Sequence, residues 1–204
     1  MAKISLLTPS RNRYDLLVKS LASLGDHDFE FLVVTDPDEP DERYKSLSPP
    51  RIVAPKRWGY QELHKYYNLL ARRATADWIM LWNDDAIMLT PDWFDLIVAQ
   101  DASKPVVLTV FHPINNLFPV ISRPFYDILG HFSLNTHADS WVQQVGERSG
   151  TQVYVPGIEI LHNKPADDTG QQSNDVTLQT GAQFNSIETQ TLINADASKV
   201  KGAL

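Results

Sequence analysis

The chain has 204 residues, enough for one domain with a substantial hydrophobic core. It has 18 basic and 25 acidic residues and a formal charge of −7, which argues against a protein that relies on nucleic-acid phosphates. The absence of cysteine excludes disulfides, thiolate catalysis and zinc–thiolate sites. No apolar run is long enough for a signal peptide core or a bilayer span, so we expect a cytoplasmic protein with no stable membrane span.

Apolar segments typical of strands alternate with segments of helical periodicity along the first half of the chain. The predicted elements are, in chain order, a strand at 4–8, a helix at 14–24, strands at 29–35 and 51–54, a helix at 60–74, a strand at 78–82, a helix at 93–100 and a strand at 106–111. The less regular second half predicts a strand at 118–121, helices at 126–129 and 139–148, and strands at 152–155 and 158–161. This alternation indicates an α/β fold with a mostly parallel central sheet flanked by helices.

The composition changes near the C-terminus. Residues 166–204 are rich in Gln, Asn, Ser, Thr and Asp and contain few large apolar side chains. We interpret them as a polar tail that is partly disordered when alone, or as a lid that orders over a site when substrate binds. The predicted organisation is therefore a main domain at 1–165 and a tail or lid at 166–204.

The tripeptide Asn83-Asp84-Asp85 lies between two apolar segments, at 78–82 and 86–89. Adjacent carboxylates at the end of a buried strand suit a hard divalent cation, which prefers oxygen ligands. A turn or helix cap rich in Asn and Asp is the alternative for the tripeptide alone.

Two further predicted strands also end in polar groups, at residues 9–13 and at Asp36. Ligands of open parallel sheets bind beyond the carboxyl ends of the strands, so these groups are expected to converge with the acidic tripeptide. Arg11 or Arg13 is a candidate for phosphate contact, and Asp36 for hydrogen bonds from a base or ribose. Arg57 precedes a glycine at a predicted helix start, where it meets phosphates or belongs to a solvated loop.

The order of these segments resembles a family 2-type glycosyltransferase of the Rossmann-like GT-A fold. The resemblance covers roughly 4–89. It rests on the first strand and loop at 6–13, on Asp36, and on the helix and strand at 59–79 that precede the acidic tripeptide. It also rests on Asn83-Asp84-Asp85, which stands at the family's metal-binding Asp-x-Asp motif.

The resemblance implies a metal-dependent hexosyltransferase that uses Mn²⁺ or Mg²⁺. A sugar would move from a UDP- or GDP-type nucleotide-sugar donor to an acceptor hydroxyl, with inversion. The donor-binding residues implied in this way are Thr8, Pro9, Ser10, Arg11, Asp36, Arg57, Gly59, Tyr60, Asn68, Asn83 and Asp84.

The first residue of the DXD-like motif is Asn83, which departs from the family pattern because it brings no charge. Asn83 can hydrogen-bond a ribose or a metal-bound water, so the metal depends more on Asp85 and on a further ligand. The resemblance implies His162, just past the predicted strand at 158–161, as that ligand. A loop histidine or a satisfied core histidine is the alternative.

Asp139 is the candidate general base, since it lies at a predicted helix start in the segment where the family carries its acidic base. The alternative for Asp139 is an ordinary helix-capping role. Asp127 and Glu147 are weaker candidates for the base. Trp141 either stacks on a sugar face or belongs to the core.

Two other functions fit parts of the pattern. A nucleotidyltransferase would use the acidic pair for a metal, but the loop after the first strand lacks the glycine-rich phosphate-binding pattern. A non-catalytic nucleotide- or sugar-binding module would explain the Asn83 departure. The acceptor stays open among a glycan, a lipid-linked sugar, a small molecule and a modified nucleic acid.

Overall fold

The computed structural model describes residues 3–110, 117–163 and 168–204. The strands of these ranges are β1 (Ile4–Pro9), β2 (Phe29–Thr35), β3 (Ile52–Val53), β4 (Trp78–Leu81), β5 (Ala86–Met88), β6 (Val107–Thr109), β7 (Val120–Ser122), β8 (Gln152–Tyr154) and β9 (Ile160–His162). The helices are α1 (Tyr14–Ser23), α2 (Leu63–Ala71), α3 (Trp93–Val98), α4 (Arg123–Leu129), α5 (Ala138–Ser149), α6 (Asp168–Phe184) and α7 (Ile187–Gly202), with short 3-10 helices at Glu42–Ser46 and Tyr60–Glu62.

Seven of the strands form one sheet in the order β3-β2-β1-β4-β7-β6-β8. Strand β1 pairs in parallel with β2 and with β4, and β3 extends this parallel block beside β2. Strand β7 runs antiparallel to both of its neighbours, β4 and β6, whereas β8 is parallel to β6. The predicted mostly parallel sheet flanked by helices is confirmed, and β5 and β9 add a separate antiparallel pair.

The two faces of the sheet carry separate hydrophobic clusters. Leu6 and Leu7 are adjacent on β1, yet each belongs to a different cluster, because successive side chains of a strand point to opposite faces. Helices α1 and α3 cover the face of Leu6, and α2, α4, α5 and α7 cover the face of Leu7. Burial on both faces explains why the strands read as continuous apolar runs.

Helix α7, in the C-terminal segment, docks on the rest of the fold. Helix α7 packs against α5 and buries Ile193, Ala197 and Val200, which recur at helical spacing along one face. Asp196 on the same face is buried and accepts a hydrogen bond from Trp141 Nε1 at 3.2 Å. Three modest apolar residues and one buried polar contact thus dock α7 on α5. Trp141 therefore belongs to the core.

A close contact between α5 and β6 provides a test of this packing. A Cβ atom added at Gly146 would lie 2.9 Å from Val107 Cβ, in a strand that cannot shift cheaply. We expect Gly146→Ala to destabilise the protein, because overpacking costs about 1–3 kcal/mol and exceeds the helix-propensity gain of about 1 kcal/mol. Urea unfolding would measure the change.

Gly181 in α6 is the matched control, since a Cβ atom there meets nothing within 4 Å. Gly181→Ala should leave the urea midpoint unchanged or raise it. Equal destabilisation by both substitutions would contradict the close α5–β6 contact.

Candidate active site

The carboxyl ends of β1, β2 and β4 open onto a cavity of about 390 Å³. This is the edge where ligands bind in open parallel sheets. The lining includes most of the residues that the sequence singled out, namely Pro9, Ser10, Arg11, Asp36, Arg57, Gly59, Tyr60, Asn83, Asp84, Asp85, Asp139 and His162. Thr8 and Asn68 are the two predicted site residues that do not line it.

The acidic tripeptide directly follows β4, and its carboxylates are buried, with exposed side-chain fractions of 9% for Asp84 and 7% for Asp85. Ser10 Oγ donates to Asp84 Oδ2 at 2.7 Å. Arg13 Nη1 lies 3.4 Å from Asp84 Oδ1 and 3.3 Å from Asp85 Oδ2, so one guanidinium serves both carboxylates. Burial raises the pKa of Asp84 to about 6, although Ser10 and Arg13 favour its charged form.

His162 approaches the acidic tripeptide from the small sheet. Antiparallel pairing of β5 with β9 places His162 opposite Ala86, the residue after the tripeptide. Its Nε2 lies 3.2 Å from Asp85 Oδ1 and 3.2 Å from Asn83 Nδ2. The sequence placed His162 just past a strand at 158–161. Instead it is the last residue of β9, because the strand is shifted toward the C-terminus to pair with β5.

The side chains around Asp85 fit a divalent cation with few protein ligands. Asp85 offers a carboxylate oxygen and His162 an imidazole nitrogen, and both are ligand types for Mn²⁺. Among the described residues no group of three or more His, Asp or Glu side chains is arranged to hold a metal. A cation held by Asp85 and His162 alone would keep its further positions for water and phosphate oxygens.

Asp36 lies at the end of β2 and is 4% exposed. The hydroxyl of Tyr66 donates to its Oδ1, and Arg11 Nη1 donates to its Oδ2 at 3.1 Å. Arg57 Nε is 3.9 Å from the same Oδ2. Burial, together with the hydrogen bond to Asp36, raises the pKa of Tyr66 to about 12. Two guanidinium groups thus accompany the carboxylate at this end of the cavity.

The turn before α2 forms one wall of the cavity. Gly59 adopts φ 70°, a left-handed conformation that favours glycine. Its N–H and that of Trp58 donate to Tyr66 Oη at 3.1 and 2.8 Å. Thr136 Oγ1 donates to the carbonyl oxygen of Tyr60 at 2.7 Å, which joins this wall to the segment before α5.

Asp139 stands in the first turn of α5 and its half-buried side chain lines the cavity. Its Oδ1 accepts the Ser140 N–H at 2.7 Å, and burial raises the pKa of its carboxyl. The N-cap position belongs to His137, so Asp139 is not the N-cap residue. Asp127 and Glu147, the weaker candidates for the base, are exposed and do not line the cavity.

Asn68 and Thr8, the two predicted residues outside the lining, contact other parts of the protein and not the cavity. Asn68 Nδ2 donates to the Ser133 carbonyl at 2.7 Å, and its Oδ1 accepts the Phe132 N–H at 2.7 Å. Asn68 therefore holds the loop that precedes α5. Thr8 is fully buried within β1.

Several lining residues were not in the predicted set. Tyr66 and Tyr67 come from α2, and Tyr67 Oη donates to Asn83 Oδ1 at 3.1 Å. Helical periodicity alone could not separate these two rings from core residues. Helix α6 contributes Gln172, Val176 and Thr177, whose polar pattern in the sequence suggested only a tail or lid.

Residues 5–159 match the family described as glycosyl transferase family 2, so the chain belongs to that family. No curated protein sequence matches the chain significantly. Among the described residues, no helix is long and apolar enough to cross a membrane.

Solved structures at low sequence identity share the fold. One is the mannosyltransferase PcManGT from Pyrobaculum calidifontis in complex with GDP-Man and Mn²⁺, with a TM-score of 0.62, 14% identity and coverage of 98% of this chain and 74% of that one. Another is S. aureus TarS 1–349 in complex with UDP-GlcNAc, with a TM-score of 0.64, 12% identity and coverage of 98% and 71%. The likeness shows the GT-A fold.

The raised pKa of Asp139 has a consequence for stability. Above that pKa the folded state holds a desolvated charge, so Asp139→Asn should raise the melting temperature at pH 8. Below the unfolded-state pKa of about 3.9, Asp139 is neutral in both states and the difference should vanish. Asn retains an oxygen for the Ser140 N–H. A lower melting temperature of the variant at pH 8 would show that the carboxylate stabilises the helix instead.

Proposed function

We propose that this family 2 chain is a metal-dependent, inverting hexosyltransferase that moves a sugar from a UDP- or GDP-type donor to an acceptor hydroxyl. The observation that carries the proposal is the convergence of three groups in one cavity of about 390 Å³. Asp36 stands at one strand end, Asp85 with His162 at another, and Asp139 at the start of α5. Nucleotide recognition, cation binding and proton transfer each need one of these groups.

The nucleotide would lie beyond the ends of β1 and β2. Asp36 can accept a hydrogen bond from a base or ribose, and Arg11 and Arg57 can turn from it toward the diphosphate. Both structural relatives were solved with a nucleotide sugar, one with GDP-Man and one with UDP-GlcNAc. These complexes support a nucleotide-sugar donor but leave the base open.

Asp85 and His162 would hold the divalent cation, Mn²⁺ or Mg²⁺. When bound, such a cation neutralises the charge that develops on the diphosphate leaving group. The Mn²⁺ in the PcManGT complex supports this assignment. Asn83 adds an amide beside His162, and Arg13 supplies a second positive charge next to Asp85.

Asp139 would act as the general base. The acceptor oxygen attacks the anomeric carbon, its proton passes to the Asp139 carboxylate, and the bond from that carbon to the diphosphate oxygen breaks with its electron pair. Attack and departure on opposite faces invert the configuration. A pKa raised by burial brings the carboxyl closer to neutral pH, where a general base works best.

Two observations favour the binding-module alternative. Asn83 replaces a carboxylate, and no three-residue His, Asp or Glu metal group occurs in the described ranges. Donor binding with no transfer, even to water, would favour this alternative. Release of pyrophosphate would favour the nucleotidyltransferase, and release of a nucleoside diphosphate would favour glycosyl transfer.

Removing the proposed cation ligand is the central test. Asp85→Ala should lower donor turnover by about 100- to 1,000-fold, because the cation supplies several kcal/mol of charge stabilisation. The melting-temperature rise that a nucleoside diphosphate and Mn²⁺ produce together should also disappear, by linkage. Asp95→Ala, on the exposed side of α3, is the control. Full Mn²⁺-dependent turnover by the Asp85 variant would refute the cation assignment.

A second substitution tests the base. Asp139→Asn should lower kcat by about 100- to 10,000-fold, the range for general base catalysis. The donor-dependent thermal shift should remain, because Asp139 lies at α5 and not at the nucleotide end. In the unsubstituted protein, kcat should fall toward acid pH with an apparent pKa above that of an ordinary Asp. A variant with unchanged kcat would exclude Asp139 as the base.

A further inference from the structure

A second cavity of about 300 Å³ adjoins the candidate active site, between residues 58–61 and helix α6. Trp58, Tyr60 and Gln61 line one side, and Gln172 and Asp175 line the other. Gly59, Tyr60, Gln172 and Val176 line both cavities, so the two cavities are direct neighbours.

The lining of the second cavity combines two aromatic rings, two side-chain amides and one carboxylate. Aromatic rings pack against apolar surface such as the C–H faces of a sugar ring. Amide and carboxylate groups pair with hydroxyl groups, which both donate and accept hydrogen bonds. Small-molecule sites combine apolar and aromatic surface with polar groups that fix the orientation of the ligand.

Both walls are anchored to the main site. The Trp58 and Tyr66 rings meet edge to face, with centroids 4.9 Å apart, and Tyr66 is itself bonded to Asp36. On the opposite side, His137 Nε2 lies 2.8 Å from Thr180 Oγ1, which ties α6 to the start of α5. The second cavity is therefore held in a defined position relative to both the nucleotide end and Asp139.

The charge of the second cavity distinguishes neutral acceptors from acceptors that carry phosphate. Its described lining contains the carboxylate of Asp175 and no Lys or Arg side chain. A ligand phosphate there would face a like charge without a cation to pair with, whereas hydroxyl groups would find both donors and acceptors. A neutral, hydroxyl-rich ligand fits this lining better than a phosphate-bearing polymer or a nucleic acid.

We propose that the second cavity is a subsite for a sugar unit of the acceptor, which is a neutral oligosaccharide or glycan. The proposal rests on the proposed glycosyl transfer. The acceptor's reacting hydroxyl would lie at Asp139, and the neighbouring sugar unit would lie between Trp58 and α6. The hydrogen bond from Thr136 to the Tyr60 carbonyl joins the two positions.

The test is sugar binding by the full chain. A glycan microarray of neutral, sialylated and phosphorylated oligosaccharides identifies the neutral oligosaccharide that binds most tightly. Isothermal titration calorimetry then measures the Kd of that oligosaccharide. We expect Gln61→Ala and Gln172→Ala each to raise this Kd by about 5- to 10-fold, as loss of one hydrogen bond does. Gln179→Ala is the matched control, because Gln179 lies exposed on α6 outside both cavities, and its Kd should be unchanged.

Three results would overturn the subsite: no neutral oligosaccharide binds, a phosphorylated one binds more tightly, or the Gln61 and Gln172 variants bind like the unsubstituted protein. Nucleoside diphosphate release from the donor, measured on the same preparation, separates the two proposals. Release without sugar binding overturns the subsite alone. Sugar binding that responds to both substitutions, without any release, supports the sugar site and counts against glycosyl transfer.

Discussion

The burial of two adjacent carboxylates, Asp84 and Asp85, is the constraint on which the rest of the site depends. Buried carboxylates are costly unless they are paired and hydrogen-bonded. Their partners come from distant parts of the chain, with Ser10 and Arg13 following β1 and His162 ending β9. The pairing of β1 with β4, and of β9 with β5, brings these partners to the carboxylates. The same strand pairings therefore both compensate the buried charges and shape the cavity.

Asp139 is positioned differently, because helix α5, which carries it, packs against α7 and β6. Trp141 bonds the buried Asp196 of α7, and Gly146 lets α5 approach Val107 closely. A rigid helix can keep a carboxylate in surroundings that disfavour its charge, because packing elsewhere along α5 and α7 offsets the local cost. Perturbed pKa values of this kind are common at functional sites, which agrees with the role proposed for Asp139.

The division of the cavity between parts of the chain bears on the acceptor. The family match ends at residue 159, and it includes the strand ends that carry Asp36 and Asp85. Helix α6 lies beyond it and supplies Gln172 and Asp175 to the second cavity. In the proposed reaction, the family-matched part of the fold would supply Asp36 and Asp85 to the donor, whereas a C-terminal helix would help to select the acceptor. Such grafting of specificity onto a common fold is frequent.

The sequence by itself determined the parallel block of the sheet and the position of its site. Apolar runs that end in polar loops identify strands buried on both faces, and the carboxyl ends of parallel strands meet at one edge. That local rule was enough to place Asp36, Asp84 and Asp85 in one cavity. Only the tertiary structure decided the pairing of β5 with β9, the docking of α7, and the use of Asn68 to hold a loop. These depend on contacts between residues far apart in the chain, which periodicity and composition do not encode.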